Sequence, residues 1–206
     1  SKIFPSTKGK INITIILDVK RGDLGNTSNA YAKAAFDVWG ADAVTVSPFM
    51  GLDSIQPFID YHDKGVFILA RTSNPGGADF QELSVYTSKS EFHPLYQQIA
   101  FKANSWNTFN NIGLVVGATN PEELQLIRRE CPTLPILIPG IGAQGGDLRS
   151  SVEFGVDSNG RRAIINASRS IIYASGGSNF AEAARNEALA LRNDINRILT
   201  ELQLEG

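Results

Sequence analysis

The chain has 206 residues, of which 42% are hydrophobic and 19% are charged, and its 19 basic and 21 acidic residues give a formal net charge of −2. This apolar content excludes an intrinsically disordered chain, and the lack of a basic excess argues against a nucleic-acid-binding protein. The apolar runs have the length of strands, so the sequence predicts no membrane-spanning segment.

Cysteine and histidine are scarce. Cys131 is the single cysteine, which excludes an internal disulfide framework and a cysteine-built zinc site. With His62 and His93 as the two histidines, a metal site would need mostly carboxylates. Residues 1–6 carry no apolar core of a signal peptide. We therefore expect a reduced, cytoplasmic protein that works without a metal ion.

Short apolar stretches alternate with segments of helical character along the whole chain. The six predicted strands are residues 11–17, 43–47, 66–70, 112–116, 135–139 and 163–166. Most of them lack polar alternation, as expected for strands of a parallel sheet covered on both faces. The alternation predicts one α/β domain over residues 1–206, with no linker.

Helices are predicted at residues 28–39, 94–106 and 179–202. A further helix start is predicted at Asn120 and Pro121, where a capping residue precedes proline and two acids. A long polar insertion spans residues 71–111, and its middle, residues 84–92, shows no clear periodicity.

The number of βα units decides between two α/β architectures. Doubly wound sheets can have five or six strands, whereas a (β/α)8 TIM barrel has eight and usually ~250 residues. Polar, glycine-rich motifs follow one strand after another here, as in a barrel whose functional face is the ring of βα loops. In a doubly wound sheet the chemistry would concentrate near the switch point. We therefore predict a (β/α)8 TIM barrel that is incomplete in this chain.

Charged residues follow the first predicted strand directly. Asp18 and Lys20 are two residues apart, which places both side chains on one side of an extended segment, and Asp23 follows a turn-permitting Gly22. The pattern predicts a carboxylate–ammonium–carboxylate cluster at a strand end. A solvated ion pair is the alternative. Because burying an unneeded charged pair costs free energy, the apolar strand before Asp18 favours a functional site.

The loops after the last two predicted strands suggest an anion site. Four glycines lie within residues 140–146, and their backbone N–H groups can approach an anion. Arg169 follows the sixth strand and can bind a phosphate through two hydrogen bonds. Barrels often form a phosphate site from these two loops, so we interpret Gln144 and Arg169 as phosphate ligands. For Arg169 an ordinary surface position is the alternative.

Two further polar segments suit either a binding role or a purely structural one. Ser73 and Asn74 offer short neutral donors and acceptors suited to the edge of a polar ring, but the Asn-Pro-Gly sequence also suits a plain turn. Thr27 lies in a segment that also suits a helix cap.

These motifs, in this order, resemble the orotidine 5′-phosphate decarboxylase family. The matching segments are residues 18–27, 72–76, 139–147 and 168–170. The Lys-Arg-Gly-Asp-x-Gly-Asn-Thr run in the first segment is similar to the bacterial-type branch with longer loops. Related sugar-phosphate decarboxylases share the D-x-K-x-x-D core, but they depend on a metal and lack this continuation.

The resemblance implies a barrel that dimerises and converts orotidine 5′-monophosphate to UMP in de novo pyrimidine biosynthesis, without a cofactor. By this resemblance, Lys20 would donate the proton to C6 of the pyrimidine, and Asp18 would sit against the substrate carboxylate. Asp23 and Thr27 would reach the partner's active site.

The same resemblance assigns the remaining substrate contacts. Ser73 would hydrogen-bond the pyrimidine, Pro139 and Gln144 would line a closing loop, and Gln144 and Arg169 would hold the phosphate. The reaction leaves negative charge on a ring carbon, which a preplaced cation in a site closed to water can stabilise.

The chain departs from the family at its start. The family has two strands before the one with the D-x-K motif, and these strands supply an Asp and a Lys that we do not find here. The chain therefore resembles strands three to eight of the barrel. Because six strands with open edges would expose main-chain groups, we expect a missing N-terminal segment, as a separate chain or outside this sequence.

Two alternative functions stay open. One is a metal-dependent sugar-phosphate decarboxylase or epimerase of the same superfamily. The other is a nucleotide-binding fragment without activity of its own, since part of the site is not found in this chain.

Overall fold

The computed structural model describes residues 13–87, 91–142 and 145–204. Its strands are β1 (Ile16–Arg21), β2 (Ala43–Val46), β3 (Gly65–Arg71), β4 (Ser84–Tyr86), β5 (Phe92–Pro94), β6 (Ile112–Val116), β7 (Ile136–Pro139) and β8 (Ala163–Asn166). Its α-helices are α1 (Gly25–Lys33), α2 (Leu52–Ile59), α3 (Ala78–Gln81), α4 (Leu95–Trp106), α5 (Pro121–Glu130), α6 (Leu148–Gly155), α7 (Arg169–Ile172) and α8 (Phe180–Leu204). Within this part of the chain, no helix is both long and apolar enough to cross a membrane.

The chain divides into two compact units, which are described separately. The first unit comprises Ser1–Ala70 and Ser84–Val115, and the second comprises Arg71–Leu83 and Val116–Gly206. The prediction of a single domain over residues 1–206 stays a prediction.

In the first unit, β1, β2 and β3 pair in parallel, and β6 follows β3 in the hydrogen-bonded order. The register pairs Ala43 with Gly65, and a Cβ on Gly65 would lie 2.9 Å from that of Ala43, so this crossing needs glycine. Fully buried side chains from the strands and from α2 form the core; they include Val44, Ile55, Phe58, Ile68 and Leu114. The strands predicted at residues 43–47, 66–70 and 112–116 are confirmed to within one or two residues.

Two predicted helices of the first unit are confirmed, but the first has different bounds and the second follows a strand pair that was not predicted. The helix predicted at residues 28–39 begins earlier, at Gly25, and its last part, Ala34–Val38, is π-helical. Helix α4 confirms the prediction at residues 94–106. The insertion before it contains the antiparallel pair β4–β5, whose three-residue strands are too short to show a period in the sequence.

In the second unit, β7 and β8 pair in parallel, with Pro139 opposite Asn166. Helix α5 begins at Pro121, as predicted, but the Asn120 side chain does not cap it and donates instead to the carbonyl of Thr72. Helices α6 and α7 both pack against α8. The core comprises Leu124, Ile127, Leu134, Ile136, Ile138 and Val152.

A buried arginine joins several segments of the second unit. Arg128, on α5, is 8% exposed. Its guanidinium donates to the carbonyl oxygens of Cys131, Pro132, Leu134, Gly155 and Arg162. Burial lowers the pKa of Arg128 to about 10, so the side chain stays charged at neutral pH. These bonds connect the end of α5, the end of α6 and the residue before β8.

The first predicted strand is misplaced. Residues 11 and 12 lie outside the described residues, and β1 begins at Ile16 and continues to Arg21. Asp18 and Lys20 therefore lie inside β1 rather than after it. The apolar run ends at Leu17, but β1 continues beyond it through an irregular stretch and pairs with β2 again at Arg21.

Candidate functional site

An ion pair inside β1 forms the centre of the candidate site. The Lys20 ammonium donates to both carboxylate oxygens of Asp18, with Nζ–Oδ1 and Nζ–Oδ2 distances of 2.7 and 2.6 Å. The side chains of Lys20 and Asp18 are 52% and 59% exposed. Both charged groups therefore remain accessible to a ligand while they pair with each other.

A bulge in β1 brings these two side chains together. Leu17 pairs with Val44 and Arg21 pairs with Val46, so three residues of β1 lie opposite the single residue Thr45. Lys20 has a φ of +48°, in the left-handed region that side-chain-bearing residues rarely adopt. The predicted contact is confirmed, but the bulge produces it, rather than simple alternation along an extended strand.

Thr45 fills the gap that the bulge leaves in the ladder. Its hydroxyl is fully buried, accepts the backbone N–H of Lys20 at 3.0 Å, and donates to Asp18 Oδ1 at 2.7 Å. Burial alone would raise the pKa of Asp18, but the hydrogen bonds from Lys20 and Thr45 and the charge of Lys20 together hold it below its ordinary value of 3.8. Asp18 is therefore anionic at neutral pH.

The rest of the first motif lies after β1. A Cβ on Gly22 would lie 2.6 Å from a backbone carbonyl oxygen just after β2, so the close approach of the two chains requires glycine. The Asp23 carboxylate accepts the N–H of Leu24 at 2.7 Å. Among the described residues, Lys20 has its ion pair with Asp18 alone, so the predicted three-group cluster is a two-group cluster within this chain. Thr27 is exposed in the first turn of α1 and does not cap it.

Ser73 lies in the second unit, on a backbone that neighbouring side chains fix in place. Gln81 accepts the N–H of Thr72 at 2.9 Å and donates to the Thr72 hydroxyl at 2.9 Å. Asn120 donates to the Thr72 carbonyl at 3.1 Å, and Thr119 donates to the Ser73 carbonyl at 3.1 Å. The Asn-Pro-Gly turn is also present, as a 3-10 turn over Pro75–Gly77, so the turn and the candidate site residue coexist.

A cleft of about 470 Å³ opens beside Ser73. It is lined by Arg71, Ser73, Asn74, Pro75, Glu82, Thr119 and Asn120. The Arg71 side chain is 6% exposed and pairs with Glu82 and, at 3.7 Å, with Glu123. Its buried Nε has no hydrogen-bond partner in the described part of the chain. Sequence reasoning missed Arg71 and Gln81, although a charge directly after a continuous apolar strand was a signal for the arginine.

The loop after β7 has the conformation that its glycines permit. Pro139 is the half-buried last residue of β7, and its carbonyl accepts the N–H of Ala118 at 2.8 Å. Gly140 and Gly142 have φ angles of +108° and +81°, which favour glycine. Gln144, predicted as a phosphate ligand, lies outside the described residues.

Arg169 lies beside this loop. It is exposed, it is the first residue of α7, and it comes three residues after the end of β8. No ion pair joins it to another described residue. A Cβ on Gly142 would lie 3.9 Å from the Ser170 hydroxyl, so the loop after β7 and the segment of Arg169 are neighbours in the second unit.

The described residues contain no group of three or more His, Cys, Asp or Glu that could hold a metal ion.

Comparisons with known proteins relate these motifs to one family. The family model described as "Orotidine 5'-phosphate decarboxylase / HUMPS family" matches residues 6–185. An orotidine 5'-phosphate decarboxylase of Dehalococcoides mccartyi (strain ATCC BAA-2266 / KCTC 15142 / 195) is 57% identical over 154 residues, which are 74% of this chain and 56% of that protein. One from Janthinobacterium sp. (strain Marseille) is 51% identical over 158 residues, 76% of this chain and 56% of that protein. The chain thus spans a little over half the length of these curated relatives.

Solved structures agree with the sequence matches. The structure of Leishmania donovani OMP decarboxylase is similar with a TM-score of 0.79 and 41% identity, covering 91% of this chain and 69% of that one. That of Leishmania donovani UMP synthase has a TM-score of 0.80 and 44% identity, covering 91% of this chain and 40% of that one. The likeness fits the predicted α/β TIM-barrel class. The family model and the relatives above show that this chain belongs to the orotidine 5'-phosphate decarboxylase / HUMPS family.

Proposed function

We propose that this chain carries catalytic and substrate-binding residues of an orotidine 5′-monophosphate decarboxylase, which forms UMP in pyrimidine biosynthesis. The observation that carries the proposal is the Asp18–Lys20 ion pair, which is solvent-accessible on β1. The names of the relatives support the choice of reaction.

The reaction breaks the bond between C6 of the pyrimidine and its carboxylate carbon. Carbon dioxide leaves, the electron pair stays on C6, and the Lys20 ammonium gives a proton to C6 to form UMP. Since no neighbouring group delocalises the charge on C6, a cation already in place is the main source of stabilisation. Asp18 holds Lys20 through two hydrogen bonds and would lie beside the substrate carboxylate.

The family resemblance assigns further substrate contacts to residues that lie at or after the ends of β3, β7 and β8. Arg169 would hold the phosphate, with Gln144, and the exposed guanidinium without an ion pair to another described residue supports this role. Pro139 would line the loop that closes over the phosphate, so that binding energy from the phosphate organises the reacting end. Ser73 would hydrogen-bond the pyrimidine. The hydrogen bond from Thr119 to its carbonyl, which helps to fix its backbone, supports this role.

The active unit would be a homodimer in which Asp23 and Thr27 reach the partner's site. The exposure of Thr27, and the fact that the Asp23 carboxylate bonds to Leu24 rather than to Lys20, support this role. Mixing a Lys20→Ala protein with an Asp23→Ala protein tests it. Shared sites predict that the mixture recovers turnover that neither variant has, because a mixed dimer has one site with both residues. No recovery would contradict the sharing of residues.

The fold proposal is more specific than the class. We propose that the six strands β1, β2, β3, β6, β7 and β8 correspond to strands three to eight of a (β/α)8 barrel, with any further strands supplied by a segment or chain other than the residues given. The scarcity of cysteine favours a reducing, cytoplasmic location.

An ultraviolet assay for the loss of orotidine 5′-monophosphate tests the proposed function. We expect UMP and carbon dioxide in equal amounts, with rates unchanged by EDTA. A rate that EDTA abolishes and magnesium restores would favour a metal-dependent reaction of the same superfamily. Binding of UMP without any turnover would identify the chain as a nucleotide-binding fragment.

A further inference from the structure

The bulge in β1 raises the question of what holds an uncommon backbone conformation at a reactive residue. Lys20 has a φ of +48°. It is one of three residues of β1 that lie opposite a single residue of β2. Because the bulge interrupts the ladder, the backbone N–H of Lys20 needs a partner other than the regular carbonyl. The partner is the hydroxyl of Thr45 rather than a carbonyl of β2.

We propose that Thr45 is a positioning residue, which fixes both the Lys20 backbone and the Asp18 carboxylate so that the ammonium is held at the reacting position. The inference rests on the proposed function for its catalytic meaning. Thr45 itself does not need to touch the substrate, because it is fully buried in β2.

The direction of the two hydrogen bonds follows from their chemistry. A backbone N–H can only donate, so the Thr45 oxygen accepts from Lys20, and the single hydroxyl proton is then free to point at Asp18. Asp18 Oδ1 receives this proton at 2.7 Å in addition to the Lys20 ammonium at 2.7 Å. One side chain therefore determines the backbone of the lysine and the position of its counter-ion.

A valine, the residue type on both sides of Thr45, could not make these two hydrogen bonds. Val44 and Val46 flank Thr45 on β2, are as fully buried as it is, and carry no hydrogen-bonding atom. Thr keeps the β-branched shape that a buried strand favours and adds one hydroxyl at the position opposite the bulge. This makes Thr45→Val a nearly isosteric removal of the hydroxyl, and Thr45→Ser a variant that keeps it.

Three proteins test the inference: the unchanged chain, Thr45→Val and Thr45→Ser. The first readout is the titration of the Asp18 carboxyl by carbon-13 NMR, with Asp18→Asn used to assign the signal. We expect the titration midpoint to move to higher pH in Thr45→Val and to stay near that of the unchanged chain in Thr45→Ser. This readout does not depend on turnover.

The second readout is the kinetics with orotidine 5′-monophosphate. We expect kcat to fall about tenfold or more in Thr45→Val, with KM changed little, and Thr45→Ser to recover most of kcat.

Thr45→Val with an unchanged Asp18 titration and unchanged kcat would overturn the inference. A shifted titration in a chain that shows no turnover at all would uphold the positioning geometry and contradict the proposed function instead. If Thr45→Val does not fold, a Thr45→Ser protein with the kinetics and titration of the unchanged chain still upholds the inference, and one that loses both overturns it.

Discussion

At the scale of single residues, the backbone conformation of β1 determines which charged side chains of the site form an ion pair. Lys20 pairs with Asp18 because a bulge and a left-handed backbone turn both side chains to the same place. The sequence predicted this contact from spacing alone, but a bulge has no spacing signature. Thr45 had no signal either, since a threonine within a buried strand is ordinary there.

The Asp18 carboxyl has a consequence for stability at acid pH. Its pKa in the folded chain lies below 3.8, because the hydrogen bonds and the charge of Lys20 outweigh the effect of burial. A lowered pKa means that the stabilisation is present above 3.8 and is lost as pH falls through the lower, folded value. Since both side chains are more than half exposed, the effect is small.

Urea unfolding of the unchanged chain and of Asp18→Asn, at a series of pH values, measures this consequence. The difference in unfolding free energy is expected to be constant near neutral pH and to shrink below pH 3.8. A difference that stays constant, or grows, across the acid range would show that the ion pair does not lower the pKa of Asp18.

Arg169 is the proposed phosphate ligand, so its replacement tests that role. We expect Arg169→Ala to weaken UMP binding by about ten- to a hundredfold, because hydrogen bonds between charged groups contribute about 1.5–3 kcal/mol. Isothermal titration calorimetry measures the affinity. Arg185→Ala, an exposed arginine on α8, is the matched control and should bind UMP as the unchanged chain does. Equal affinities for the two variants would remove Arg169 from the phosphate site.

At the scale of elements, the apolar strands were predictable and the elements next to functional loops were less so. The runs that became β2, β3, β6 and β7 are mostly apolar, which the burial of parallel strands explains, whereas β8 is apolar but partly exposed. The first strand was misplaced because the charged residues in its second half, from Asp18 to Arg21, are typical of a loop. The β4–β5 pair was missed because three residues cannot show a period.

Gly117 lets the loop after β6 pass close to Ser73. A Cβ at this position would lie 2.7 Å from the Ser73 backbone nitrogen and Cα, so a larger residue must displace the loop that Ser73 belongs to. We expect Gly117→Ala to destabilise the chain by about 1–3 kcal/mol and to raise KM for the nucleotide. Gly176→Ala, where a Cβ meets nothing within 4 Å, is the control. Urea unfolding and steady-state kinetics that show no difference between the two variants would contradict the close packing.

Arg128 stabilises the second unit by joining several of its elements. Arg128→Met removes the donors to the buried carbonyls of Gly155 and Leu134 while keeping an apolar stem. We expect a loss of about 3–5 kcal/mol in the free energy of unfolding, because the carbonyls lose their partners. The exposed neighbour Arg129, changed to Met, should cost less than about 0.5 kcal/mol. Chemical denaturation that gives equal losses for both variants would contradict this role.

At the scale of the whole molecule, the fold class and the family were accessible from the sequence because the chemistry-bearing motifs each lie at or just after the end of a strand. The relatives at 51–57% identity confirm the family that those motifs indicated. The role of Gln81 was not accessible, since it depends on a side-chain contact with Thr72 across a turn that has no signature in the sequence.

The central claim is that the Lys20 ammonium supplies the proton for decarboxylation. The measurement is the rate of UMP formation from orotidine 5′-monophosphate by Lys20→Ala, beside Lys64→Ala, whose lysine also pairs with a nearby aspartate, Asp63. We expect Lys20→Ala to fold with an unchanged circular dichroism spectrum and to form no measurable UMP, while Lys64→Ala keeps the rate of the unchanged chain. Appreciable UMP formation by a folded Lys20→Ala protein would contradict the account.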